Sequence, residues 1–320
     1  MKKTQREENP FPYSDSNKRY YTYDYYLRRT FGGKCVKIPL DAGFTCPNID
    51  GTCGTGGCIY CSGRGSGDFA APAPLSLAGQ YRLMQEKLGE KWTTERCIAY
   101  FQPHTNTYAP TERLLALYNE ALQLPGVVGL NIATRADCIG EGLPEALEAL
   151  AAQTVVTVEL GLQTVHDETA RRINRGHTYE TFENTFRLLR EKAPSVRLGV
   201  HLIFGLVGEN DEMMVESVQK VAQLHPDEVK IHCLYVLKNT VLADMYANGA
   251  YFPLSEEKFV ELVVRALELL PEDVVIGRLT GDGAAEDLLA PLWTRRKREV
   301  LNKIDKKIYT ENSRQGKCLM

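Results

Sequence analysis

Seven short strand-like runs, spaced by helical periodicity, constrain the fold of this chain more than any other feature. They cover residues 34–40, 95–101, 127–133, 154–160, 196–204, 228–233 and 273–278. Between them, residues 76–90, 111–124, 143–152, 178–192 and 210–223 carry apolar side chains at helical spacing. Strand and helix alternate about once every 30 residues, the pattern of βαβ units that build a parallel sheet with helices outside. Right-handed crossovers wind such units into an open or partly closed barrel. Strand count alone also fits a closed eight-fold barrel or a doubly wound sheet. The 320 residues suit one large α/β domain or two smaller ones, and no internal repeat or low-complexity linker divides them.

Hydrophobic content of 43% and charge of 25% are ordinary for a globular protein. Met1–Pro10 lacks the apolar centre of a signal peptide, and no apolar run reaches membrane-spanning length. The expected location is the cytoplasm, where thiols stay reduced. Nine cysteines, an odd number, do not suit a disulfide scaffold. A net charge of −3 rules out a polycation, but the distribution of charge matters more than its sum. Residues 294–317 hold nine Lys or Arg against three Asp or Glu, with Arg295, Arg296, Lys297 and Arg298 as candidate phosphate contacts. Residues 11–31 interleave six tyrosines with basic side chains, which suits either stacking on unpaired bases or an amphipathic helix packed on the domain edge.

Four cysteines, Cys46, Cys53, Cys58 and Cys61, fall in the glycine-rich stretch 43–67. Thiolates suit soft metal centres, iron–sulfur clusters among them. Cys58 and Cys61 form a C-x-x-C pair whose sulfurs point the same way from one tight turn. Cys46 rejoins them only if the loop folds over itself, a freedom that the intervening glycines supply. Three ligands on a four-iron cube leave one iron open to a small molecule, the logic that separates catalytic from structural metal sites. Cys53 forms C-x4-C-x2-C with Cys58 and Cys61, so it can replace Cys46 or close the site as a fourth ligand. A zinc site of four cysteines is the alternative chemistry.

Cys46-Pro47-Asn48 followed by Gly57-Cys58-Ile59-Tyr60-Cys61 resembles the radical S-adenosylmethionine (SAM) superfamily, in the branch related to the elongator catalytic subunit. Gly43 to Asn48, the segment from Phe101-Gln102 to Thr105-Asn106-Thr107-Tyr108, and Ala290-Pro291-Leu292-Trp293 are similar to the bacterial family containing the tRNA wobble-uridine enzyme MnmL. The resemblance implies an α/β fold of the radical-SAM type, a partial (β/α)6 barrel with N- and C-terminal extensions. Residues 1–33 would be a Tyr-rich extension, 34–285 the core and 286–320 a basic helical extension. It implies that Cys46, Cys58 and Cys61 ligate a [4Fe–4S] cluster, with SAM on the fourth iron as the source of a 5′-deoxyadenosyl radical. The implied reaction converts 5-carboxymethylaminomethyl(2-thio)uridine to 5-aminomethyl(2-thio)uridine in tRNA, with an electron donor such as a flavodoxin or ferredoxin. A radical enzyme acting on a small metabolite or peptide, and a zinc-stabilised RNA-binding protein, are the alternatives.

In parallel α/β folds, chemistry collects at the carboxyl ends of strands. Gln102 and Asn106 are candidate acceptors for the SAM amino group, in place of the glycine-glycine-acidic motif of many radical-SAM proteins. Arg135 and Asp137 either grip a ligand or brace their loop. Glu159 lies in a largely apolar strand and is costly to bury without a polar partner, be it a ribose hydroxyl pair, Arg135 or another strand-end base. The resemblance implies SAM contacts around Glu159 and Gln163, a carboxylate contact at Arg175, and adenine or ribose near Gly205. His232 and Tyr235 are candidate substrate-facing groups, and residues 277–283 end the series.

Overall fold

The computed structural model describes residues 9–63, 65, 70–71, 74–281 and 283–319. Residues 1–8 of the leader stretch and Asp282 of the last strand-end series lie outside the described residues. The strands are β1 (Val36–Leu40), β2 (Cys97–Phe101), β3 (Val127–Arg135), β4 (Val155–Gln163), β5 (Arg197–Phe204), β6 (Glu228–Cys233), β7 (Val236–Leu237), β8 (Val275–Arg278) and β9 (Leu288–Ala290). The helices are α1 (Tyr23–Phe31), α2 (Leu77–Gly89), α3 (Thr111–Leu122), α4 (Leu143–Ala151), α5 (Asp167–Arg172), α6 (Tyr179–Lys192), α7 (Asp211–Leu224), α8 (Val241–Ala247), α9 (Glu256–Leu269) and α10 (Lys297–Thr310).

One sheet runs β1-β2-β3-β4-β5-β6-β8, with every pair parallel. The sequential order has no reversal, so the sheet is not doubly wound. Five inter-strand steps separate β1 from β6, about 24 Å on a flat sheet. Yet Lys37 Nζ on β1 lies 3.8 Å from Glu228 Oε1 on β6. The sheet therefore curls until its two sides face each other. The expected partial barrel forms, with a seventh parallel strand, β8, beside β6.

Strand alternation decides what each side of the curled sheet carries. In β4, Val156, Val158, Leu160 and Leu162 are fully buried in core clusters, whereas Glu159, Gly161 and Gln163 line an interior cavity. In β6 the same rule turns Lys230 and His232 inward and buries Val229 and Ile231 on the other face. Strands β3 and β4 run further than their apolar runs, to Arg135 and Gln163, because their last residues serve the cavity rather than the core.

The N-terminal segment completes the floor. Thr22 caps α1 by accepting from Tyr25 N, and α1 packs Tyr26 and Leu27 against Ile98 and Val275 at the amino ends of β2 and β8. Ile276 N donates to Tyr21 O at 2.7 Å, which adds this segment to the sheet beyond β8. Tyr20 and Tyr26 are buried, and Tyr13, Tyr21, Tyr23 and Tyr25 are each partly covered. The tyrosines thus pack on the domain edge, the second of the two readings their pattern allowed.

The chain end holds that floor in place. Gln315 is fully buried; its N donates to Arg19 O, its Nε2 to Val274 O at 2.8 Å, and its Oε1 accepts from Tyr21 N at 2.9 Å. Gln315→Ala leaves buried backbone groups on two segments without partners. The expected loss is roughly 2–4 kcal/mol in denaturant unfolding, and a change below about 0.5 kcal/mol contradicts the assignment.

Candidate active site

The loop after β1 wraps on itself before reaching the C-x-x-C pair. Cys53 N and Gly54 N both donate to Pro47 O, and Gly57 N donates to Asn48 O at 2.8 Å. Gly54 is required by close approach, since a Cβ there would sit 2.1 Å from Asn48 Oδ1. Gly57 is required by its φ of +73°, which turns the chain into Cys58. Two asparagines fasten the loop from behind. Asn174 Nδ2 donates to Gly57 O at 2.7 Å and Thr55 O at 3.1 Å, while the buried Asn48 donates to Asn174 O. Sequence reasoning missed both clasps. The signal available was an Asn beside Cys46-Pro47, and a second Asn ahead of the Arg175-Gly176 turn.

The loop delivers Cys46, Cys58 and Cys61 to one cavity of about 560 Å³. Cys53 is exposed and is not among the lining residues; its sulfur lies 3.6 Å from Arg135 Nη2. A thiol–thiol hydrogen bond from Cys61, aided by Arg135, brings the Cys58 thiol down to about 7 against the effect of burial. Among the described residues no three His, Cys, Asp or Glu side chains stand close enough to share a single metal ion. Thiolates of an iron–sulfur cube each take a different iron, so they need not converge in that way. Three soft donors on one cavity wall, with the fourth cysteine outside, fit a cluster with an open corner better than a closed zinc site.

The other predicted residues divide sharply. Gln102, Glu159, Gln163 and Arg175 all line the cavity, whereas Gly205 does not. A Cβ at Gly205 would meet Leu254, and its carbonyl accepts from Tyr251 Oη at 3.0 Å. The guanidinium of Arg175 is buried and donates to the carbonyls of Leu162, Thr164 and His177. That ties the end of β4 to the loop behind the cysteines; burial lowers the group to about 10. Asn106 is fully buried, with its Nδ2 donating to Pro103 O and Ala133 O. Arg135 grips Asp137 with two hydrogen bonds, at 2.6 and 2.9 Å, and donates to Arg175 O at 2.7 Å, so this pair braces the loop.

Glu159 finds its polar partners across the barrel. One carboxylate oxygen accepts from Lys37 Nζ at 2.9 Å and Asn131 Nδ2 at 2.7 Å. The other accepts from Tyr100 Oη at 2.7 Å and Lys230 Nζ, and lies 3.0 Å from His201 Nε2. Five groups on five strands therefore converge on one carboxylate with no exposed surface. Its ligands are protein groups, and the ribose expected there is not needed to satisfy it. Burial would raise Glu159, but Lys230 and Lys37 outweigh it and hold the group well below the usual range. Burial brings Lys230 down to about 8, whereas Glu159 and Glu228 keep Lys37 high in spite of burial.

These environments set a pH dependence. Burial holds His177 down to about 4 from 6.5, and it also lowers His201 and His232. Below pH 6.5 the unfolded chain binds protons that these folded histidines refuse, so stability falls as pH falls. The loss runs from 6.5 toward 4, and Glu159 adds to it below its unfolded value of 4.5. Glu209, raised by burial, works in the opposite direction. Thermal melts should fall steadily from pH 7 to pH 5; a flat profile contradicts the neutral assignment of the histidines.

The basic tail is largely engaged by the protein. Arg296 pairs with Glu256 and Glu299, Lys303 with Glu256, and Arg314 with Glu272. Arg295 donates to Ala285 O, and Arg298 is exposed.

A curled parallel sheet carrying a three-cysteine loop after its first strand defines a class, and the comparisons agree. The chain belongs to the radical SAM superfamily: residues 49–221 match that family's model, and residues 226–310 match the radical SAM C-terminal domain. Members of the superfamily are enzymes that use a [4Fe–4S] cluster and SAM. YtqA of Bacillus subtilis is 43% identical over 311 residues, covering 97% of this chain and 96% of its own. A tRNA uridine(34) acetyltransferase of Methanocaldococcus jannaschii is 32% identical over 158 residues, 48% of this chain and 28% of that protein. In fold, the chain is similar to archaeal Elp3 of Methanocaldococcus infernus, with TM-score 0.62 and 20% identity over 88% of this chain and 64% of that one. Among the described residues no helix is long and apolar enough to cross a membrane.

Proposed function

We propose that this enzyme acts on the wobble uridine of tRNA and converts its 5-carboxymethylaminomethyl group to 5-aminomethyl. The observation that carries the reading is the cavity itself, lined by Cys46, Cys58 and Cys61 together with Lys37, Lys230 and Glu159. Two archaeal tRNA uridine(34) acetyltransferases, similar to this chain over 158 residues, suggest the substrate class.

Cys46, Cys58 and Cys61 would hold the cluster. With SAM bound, the cluster would supply the chemistry for abstracting a hydrogen atom from the carboxymethyl carbon; loss of a second electron back to the cluster and of a proton, then addition of water, would release those two carbons as glyoxylate and leave the 5-aminomethyl group. The residues of the chain do the rest. Asn48 and Asn174 fix the loop, Arg135 and Arg175 brace the segments behind it, and the curled sheet walls the reacting space from solvent. Glu159 acts from a distance, as the hub that orders Lys37, Lys230, Tyr100 and His201 around the interior.

The test is nucleoside mass spectrometry of tRNA bearing the carboxymethylaminomethyl group, incubated anaerobically with reconstituted protein, reductant and SAM. Loss of the carboxymethyl mass at the wobble uridine supports the reading. Unchanged tRNA, alongside modification of a peptide or small metabolite, overturns it.

A further inference from the structure

One imidazole on the cavity wall is held in a way that its neighbours are not. His104, His177, His201 and His232 all line the cavity. Of these four, His201 alone is paired with a carboxylate, its Nε2 lying 3.0 Å from Glu159 Oε2. The backbone prepares this pair. Gly199 is the register partner of Glu159 and stands two residues before His201, on the same face of β5. A Cβ there would lie 3.4 Å from Glu159 Cγ, so the stem of Glu159 rests over β5, whose next inward residue is His201.

A carboxylate only accepts, and Lys230 and Lys37 hold Glu159 ionised, so His201 Nε2 carries the hydrogen. Burial, with Lys230 as register partner on β6, keeps the ring neutral against the pull of Glu159 and Glu228. His201 Nδ1 therefore holds a lone pair. It makes no hydrogen bond among the described residues, and the side chain keeps 20% of its surface exposed within the cavity lining. From β6 the ring of His232 faces it, 5.5 Å away, with no carboxylate to fix its own tautomer. The carboxylates are committed elsewhere: Glu159 accepts from its five-strand hub, and Asp24, on the cavity floor, pairs with Arg28. A carboxylate that fixes the tautomer of an imidazole and leaves its second nitrogen open is the arrangement of an acid–base dyad.

We propose that His201 is the acid–base residue of the cavity, held by Glu159 so that its Nδ1 takes the proton given up by the nitrogen of the substrate's substituent and returns it when the C–N bond breaks. This rests on the wobble-uridine reading above. As the radical on the carboxymethyl carbon gives its electron back to the cluster, the nitrogen's proton passes to His201 Nδ1 and a C=N bond forms. Water adds across that bond, oxygen to carbon and hydrogen to nitrogen. The imidazolium then returns its proton to the nitrogen, the C–N bond breaks with its electron pair going to nitrogen, and the hydroxyl proton leaves to solvent. The 5-aminomethyl group and glyoxylate result, and His201 ends as it began.

The experiment follows single turnover of an anticodon stem-loop RNA, with the carboxymethylaminomethyl group at the wobble uridine, by reconstituted wild type and His201→Gln. The glutamine amide still donates to Glu159 but has no basic nitrogen. Each sample is read for 5′-deoxyadenosine, for glyoxylate, and for C=N trapped by sodium borodeuteride, which returns it to the starting group with one deuterium. Wild type is expected to form 5′-deoxyadenosine and glyoxylate together, with no deuterium retained. His201→Gln keeps 5′-deoxyadenosine formation, slows glyoxylate release roughly 10²-fold, and retains deuterium. Nitrogen NMR of labelled wild type, with His201→Gln for assignment, reads the tautomer without turnover and is expected to show hydrogen on Nε2 and none on Nδ1. Glyoxylate release as fast as in wild type, joint loss of both products, or a hydrogen on Nδ1 overturns the role of His201 and leaves the uridine reading intact. Wild type that forms no 5-aminomethyluridine overturns both.

Discussion

Cys58→Ala and Cys61→Ala proteins form no 5′-deoxyadenosine above the level seen without reductant, and Cys46→Ala behaves in the same way. Each of the three thiols lines the cavity, and each would hold a different iron, so no neighbour replaces the one removed. The informative contrast is Cys53→Ala. Cys53 is exposed, stands outside the cavity and lies against Arg135 instead. That variant therefore keeps both the iron content and the SAM cleavage of wild type. Iron analysis and mass spectrometry of the product read both quantities on the same samples. Loss of the cluster in Cys53→Ala with retention in Cys46→Ala would reverse the ligand assignment.

Glu159→Gln produces the largest loss of stability expected for a single substitution. It leaves Lys37 and Lys230 with only Glu228 as counter-charge, in a site where Glu159 has no exposed surface. Breaking a buried pair from one side costs roughly 3–5 kcal/mol, because the remaining charge is left uncompensated. Adding Lys230→Met restores the balance as one cation and one carboxylate, so the double variant regains part of the loss. Chemical unfolding of the two single variants and the double variant measures the coupling. A Glu159→Gln protein as stable as wild type would mean that the network does not organise the interior.

The parallel sheet was legible because its apolar faces form runs such as Val156, Val158, Leu160 and Leu162, interrupted by helical spacing. The cysteine loop was legible because thiols and glycines at that spacing have few other uses. The partners of Glu159 were harder to see. Lys37 and Lys230 lie 122 and 71 residues from it in sequence, and a lone lysine in a strand reads as a solvent-facing residue. A trace was present in β6, where Glu228, Lys230 and His232 alternate with Val229, Ile231 and Cys233. That pattern marks a strand with one polar face, and the curl of the sheet turns the face inward. Helix α9 was missed, although Ser255 caps it, Glu256 and Glu257 fill its first turn, and Phe259, Leu262, Val263 and Ala266 carry its apolar stripe. The partners of the basic tail were not legible, because charge runs do not reveal them; acids on α9 and just beyond it, Glu256 and Glu272, pair with Arg296, Lys303 and Arg314.

The three-cysteine loop and the cavity beneath it are those of a radical SAM enzyme, and tRNA is its proposed substrate. The most direct measurement is 5′-deoxyadenosine formed by anaerobically purified, iron- and sulfide-reconstituted protein given reductant and SAM, with and without tRNA bearing 5-carboxymethylaminomethyluridine. The expected result is SAM cleavage that this tRNA stimulates. An intact four-iron cluster with bound SAM and no 5′-deoxyadenosine, with or without tRNA, would contradict it.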